Sequence, residues 1–170
     1  MRVFDRLITP TSIKDHEIRF NLTSLPSRIL RAGLHSVQVV HNENDSNNNN
    51  LAIESNAVAF MLRPTIVAVQ IQEIDTFDDE PRNGTLRVTL SFDVAVNQRV
   101  ILLLNRYDET KNDGYIFASN SREENTNTVD FRFQRVEAGQ YLVRVQVEGA
   151  ESIIDYQGTP ATISPLLIIS

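Results

Sequence analysis

The chain has 170 residues, 41% hydrophobic, 22% charged and 7% aromatic, the balance of a packed globular protein rather than a disordered one. Its 16 basic against 22 acidic residues give a net charge of −6, which removes the electrostatic footprint of a nucleic-acid binder. With no cysteine there are no disulfide staples, cysteine-ligated zinc, iron–sulfur clusters or thiol catalysis. No apolar run approaches the ~20 residues of a bilayer span, and none reads as a secretory signal after Met1, so a cytoplasmic protein without membrane insertion is expected.

In chain order, Ile18, Phe20 and Leu22 alternate as in a strand, and Ser27–Ala32 has a helical spacing too short for more than a turn or two. Asn42–Asn50 (NENDSNNNN) has nothing to bury and reads as a solvated, mobile hairpin connection. Pro64 ends the apolar run Val58–Leu62 just before another begins, which makes it the expected domain junction. Beyond it the pattern is period two. Leu86, Val88, Leu90, Phe92 and Val94 alternate with polar residues, which places one strand face in a core. The same alternation recurs at Val129, Phe131, Phe133 and at Tyr141, Val143, Val145, Val147. Shorter apolar runs at Val67–Ile74, Val100–Leu104, Tyr115–Ala118 and Ile163–Ile169 bring the total to about seven strands after Ile66. Asn83-Gly84 and Asp113-Gly114 are expected to mark tight turns, and Asn120–Asn127 a loop.

An internal repeat runs alongside that division. Ala32-Gly33-Leu-His35-Ser-Val37-Gln-Val39 matches Ala138-Gly139-Gln-Tyr141-Leu-Val143-Arg-Val145, each after an alternating strand and before a loop and a last apolar strand. Residues 1–65 therefore read as an incomplete first unit and residues 66–170 as a complete one. The expected fold is all-β, an immunoglobulin-like antiparallel sandwich in two tandem units. Gly139-x-Tyr141-x-Val143 matches a tyrosine corner, in which a strand-F tyrosine bonds its hydroxyl back to the chain just upstream, here within Val136–Ala138. His35 takes the tyrosine position in the first unit.

Candidate chemistry is sparse. His16, His35 and His41 all lie near the start of the chain; on one regular strand His35 and His41 would stand about 20 Å apart, too far to share a metal. Glu73, Asp75, Asp78, Asp79 and Glu80 offer oxygens for calcium but lack the spacing of a dedicated loop, and a solvated connection is the expected reading. Asp108, Glu109, Asn112 and Asp113 form a similar polar loop. There is no G-x-S-x-G elbow and no glycine-rich phosphate loop, and the sequons at Asn21 and Asn83 read as chance matches. No catalytic, cofactor-binding or metal residue is expected, and no enzymatic activity.

Leu30–His41 (LRAGLHSVQVVH), followed by Glu54–Ile66 (ESNAVAFMLRPTI), resembles the C-terminal region of the tail-terminator (cap) proteins of phage-tail-like contractile injection systems of the Photorhabdus virulence cassette type. Arg99–Asn105 and Tyr141–Ala150 fit the same region. The resemblance implies a first module of the IPT/TIG variety, lacking its opening strands, and an assembly domain absent from this sequence that docks on sheath and tube. It implies a non-enzymatic structural module with protein partners, itself included as a homodimer or higher oligomer. The alternative on the same fold is a free-standing binding module for carbohydrate or cell surfaces, as sandwiches host many functions.

Overall fold

The computed structural model describes residues 1–26, 29–44, 50–75, 81–107, 113–157 and 162–170. The chain divides into two compact units, one of Met1–Leu30 with Leu34–Leu62, the other of Arg31–Gly33 with Arg63–Ser170. All regular structure described is antiparallel β where direction is defined, apart from one 3-10 turn at Leu22–Ser24.

The first unit holds β1 (Arg2–Val3), β2 (Arg6–Leu7), β3 (Ser12–Lys14), β4 (Glu17–Arg19), β5 (Gly33–Gln38), β6 (Val40–Asn44), β7 (Asn50–Glu54) and β8 (Val58–Leu62). One sheet runs β2-β1-β5-β8; β3–β4 and β6–β7 are separate hairpins. The alternation through Ile18 stops at Arg19. Leu22 belongs to the 3-10 turn, where the Asn21 side chain accepts a hydrogen bond from the Thr23 amide at 2.9 Å and so satisfies one orphan donor. The polar run after Asn42 does connect a hairpin, with His41 opposite Ile53 and Asn44 opposite Asn50; residues 45–49 lie outside the described residues. Part of the predicted helical turn, residues 27–28, also lies outside them.

The second unit holds β9 (Ile66–Ile74), β10 (Arg82–Val94), β11 (Val100–Arg106), β12 (Gly114–Ala118), β13 (Thr126–Val136), β14 (Gly139–Val147), β15 (Ala150–Glu151), β16 (Asp155–Gln157), β17 (Thr162–Ser164) and β18 (Leu166–Ile169). One sheet runs β13-β10-β9; a second runs β12-β11-β14, with β15 and β18 both paired to β14. Its core follows the period-two reading. Leu86, Val88, Leu90 and Val94 of β10, Val129, Phe131 and Phe133 of β13, and Tyr141 to Val147 in odd steps on β14 are all buried. At about 25 cal/mol per Å² of apolar surface, this aliphatic and aromatic burial is the main stabilising term in a chain without disulfides.

Two sequence expectations fail here for identifiable reasons. Asn83-Gly84 is no turn: both residues lie inside β10, Gly84 pairing with Phe133 and Ile74 beside a register shift. A Cβ on Gly84 would come within 2.2 Å of the Glu73 carbonyl oxygen and 2.7 Å of the Phe133 ring, so close backbone approach, not a positive φ, demands glycine. The run Ile163–Ile169 breaks into β17 and β18 at Pro165, which has no amide to offer a ladder.

Candidate functional site

The end of the second unit where β13 hands over to β14 carries a cluster of polar groups. Tyr141, fully buried, donates its hydroxyl to the Glu137 carbonyl at 2.7 Å, inside the window the tyrosine-corner pattern predicts. The Tyr115 ring of β12 stands edge-on to it at 5.8 Å, and the Tyr115 hydroxyl accepts from the Glu137 amide at 3.4 Å. Arg106, at the end of β11, donates to the Glu137 carboxylate at 3.2 Å and to the Ala138 carbonyl at 3.2 Å, with Asp113 at 3.7 Å. Burial pushes the Tyr141 phenol well above its ordinary range, which keeps it a hydrogen-bond donor and a poor base or nucleophile. Every polar group named here is aimed at the chain itself. Its chemistry is that of a clasp.

A polar cleft of about 370 Å³ lies at the same end of the three-stranded sheet, lined by Glu73, Asp75, Asn83, Thr85, Asn120 and Arg132. Beside it, at the register shift between β10 and β13, Arg135 takes a left-handed φ of 55° and donates its amide to the Asn83 side chain at 3.0 Å. Glu73 and Asp75 of the predicted acidic connection therefore meet here, whereas Asp78, Asp79 and Glu80 lie outside the described residues, as do Asp108, Glu109 and Asn112. Among the described residues no group of three or more His, Asp or Glu is placed to hold a metal ion. A second cleft of about 350 Å³, lined by Thr65, Ile66, Val67, Ile153, Ser164 and Pro165, is largely apolar.

The histidines are separated. His16 is exposed in the β3–β4 turn, and His35 and His41 occupy β5 and β6, two different strands rather than the single one assumed for them. The break falls at Val39, whose amide is taken by the Ser55 hydroxyl at 3.0 Å. His35 is half-buried and packs on Phe4 at 4.4 Å and Phe60 at 5.8 Å between ring centroids. Phe4 reaches it from the two-residue β1–β2 turn, where Phe4 and Asp5 both adopt left-handed φ values, 52° and 56°, as a type I′ turn requires.

Sequence reasoning missed the polar groups that tie loops to strands. Ser152 is fully buried and donates nothing to solvent: its hydroxyl accepts from the Val145 amide at 3.0 Å, while Arg63 donates to its carbonyl at 3.0 Å. Arg122 bonds the Ser119 hydroxyl and the carbonyls of Ala95 and Gln98, fastening the β10–β11 connection to the loop before β13. Isolated serines and arginines have no periodicity, so no pattern announces them. Residues 64–168 match the model of a family described as a domain of unknown function (DUF8756). No curated protein and no solved structure matches the chain.

Proposed function

The chain belongs to the family of the domain of unknown function DUF8756; we propose that it is a non-enzymatic structural module whose work is binding other proteins. The matched span coincides closely with the second unit, which we read as an immunoglobulin-like sandwich. Its strand order supports that reading: β9-β10-β13 in one sheet and β12-β11-β14-β18 in the other correspond to A-B-E and C′-C-F-G, with the tyrosine corner on the strand-F equivalent. Magnetisation transfer between Phe131 and Val143 side chains checks the face-to-face packing this implies.

The observation that carries the function is on the first unit. Ile13, Leu34 and Leu7 are 71%, 68% and 65% exposed there, with Leu51, Ile53 and Val58 about half exposed or more. These exposed apolar side chains offer contact area to a protein partner. We take the setting from the sequence resemblance: part of the tail-terminator (cap) protein of a contractile injection particle, the first unit an IPT/TIG-like half that finds its cover in assembly. Mass spectrometry of purified particles from the source strain should detect this chain at a stoichiometry fixed to the sheath. Particles of normal length and composition that lack it would overturn the assignment.

A further inference from the structure

Most edge strands of this molecule carry a device against pairing with another chain. β2 and β15 are two residues long; β3, β4, β6, β7 and β16 contain charges; β17 and β18 flank Pro165. β9 is bulged against β10 at two places and ends beside Glu73, and β13 carries Asp130, Arg132 and Arg135. β12 is uncharged, but it continues into a bridge between Ser119 and Phe131 and lies beside β13. β8 has none of these. It is the last strand of its sheet, five residues long, uncharged, without proline, and Val58 and Met61 are 56% and 47% exposed.

We propose that β8 is a self-association edge, on which a second copy of this chain pairs antiparallel about a two-fold axis at Phe60. The sequence Val58-Ala59-Phe60-Met61-Leu62 is self-complementary under that operation. Val58 falls opposite Leu62, Ala59 opposite Met61 and Phe60 opposite itself, so directly facing side chains are apolar throughout and no like charges meet. Phe60 already packs on His35 and, at 6.2 Å, on Phe4. Pairing therefore brings two aromatic clusters together across the axis on one sheet face, while Ala59 and Met61 pair on the other. The two four-stranded sheets become one continuous sheet, in which the outer edge of β8 gains a backbone partner. An isologous edge of this kind closes at two copies.

The inference gives a definite partner to the protein-interaction reading and rests on it, but its test is separate. Sedimentation of the full chain should show a two-copy species that grows with concentration. Ala59→Lys with Met61→Lys sets lysine against lysine in both 59–61 pairs and should leave one copy; Ala59→Glu with Met61→Glu should do the same. Mixing the two variants should restore the two-copy species, which an unfolded variant cannot do. Because the chain has no cysteine, Ala59→Cys and Met61→Cys should each stay uncrosslinked alone and give a disulfide-linked pair when mixed. A wild-type chain that sediments as one copy throughout, a lysine variant that still pairs, or a mixture that stays single overturns the proposal. In each case the particle stoichiometry experiment remains the independent test of the broader function.

Discussion

The Tyr141 hydroxyl supplies the Glu137 carbonyl with a hydrogen-bond partner at a part-buried position. Tyr141→Phe removes one oxygen and leaves the ring contact with Tyr115 in place, so a loss of about 1 kcal/mol is expected, rising to about 3 if the carbonyl stays buried and unpaired. Urea midpoints with an unchanged slope check it, and an unaltered midpoint would remove the clasp assignment. Gly84 is the opposite case, a residue defined by what it lacks. Gly84→Ala must push either the Glu73 backbone or the Phe133 ring aside, and overpacking of this kind costs about 1–3 kcal/mol. The companion Gly149→Ala, with nothing within 4 Å of its Cβ, tests backbone strain alone at φ 83°. If Gly84→Ala proves the milder of the two, the close-approach argument fails.

At the scale of elements, the pairing of β10 with β13 is reinforced on its outer face by Arg87 and Asp130, directly opposite in register and joined by two bonds of 2.7 and 2.8 Å. The hydrogen bond from Arg87 holds the Asp130 carboxyl below its ordinary value near 3.8. A carboxyl lowered in the folded state stabilises above its unfolded value, and that contribution disappears as pH falls through the folded one. Because Arg87 is exposed, solvent and salt screen the pair and its contribution at neutral pH is small. Asp130→Asn should be slightly less stable than the wild type at about pH 7, and the gap should narrow as pH falls below the ordinary carboxyl value near 3.8. A gap that does not change with pH would mean the pair contributes packing, not charge. The strands themselves were legible because alternation over Leu86–Val94, Val129–Phe133 and Tyr141–Val147 is dictated by burial on one face. Tyr141 was legible for the same reason, since Gly139 and Val143 fix its place on the strand. Asn83-Gly84 misled because the dipeptide fits a turn and a bulge equally well, and only the Glu73 carbonyl across the ladder decides between them. Ser152, Arg106 and Arg122 were illegible: each bonds groups on other strands or loops, and a single serine or arginine has no periodicity to announce it.

For the whole molecule, the division into two units is less simple than one cut in the chain. Residues 31–33 group with the second unit although the chain then returns to the first for Leu34–Leu62. Ala32 is nearly fully buried, its carbonyl accepts from the Gln98 side chain at 2.9 Å, and Gly33 at φ 128° lies 3.7 Å, at its Cβ position, from Glu148. The polypeptide thus passes between units three times, at 30–31, 33–34 and 62–63. Severing a single-crossing tether frees one lobe; severing this one does not. A protease site engineered between Leu62 and Arg63 should, when cut, yield two fragments on a denaturing gel but one species under native mass spectrometry. The upstream fragment still holds residues 31–33 against the downstream one. Ala32→Pro with Gln98→Ala, which unfastens that short segment, should let the cut pieces part. For any machine that assembles around this chain, a nick at its most obvious seam is a silent injury rather than a release.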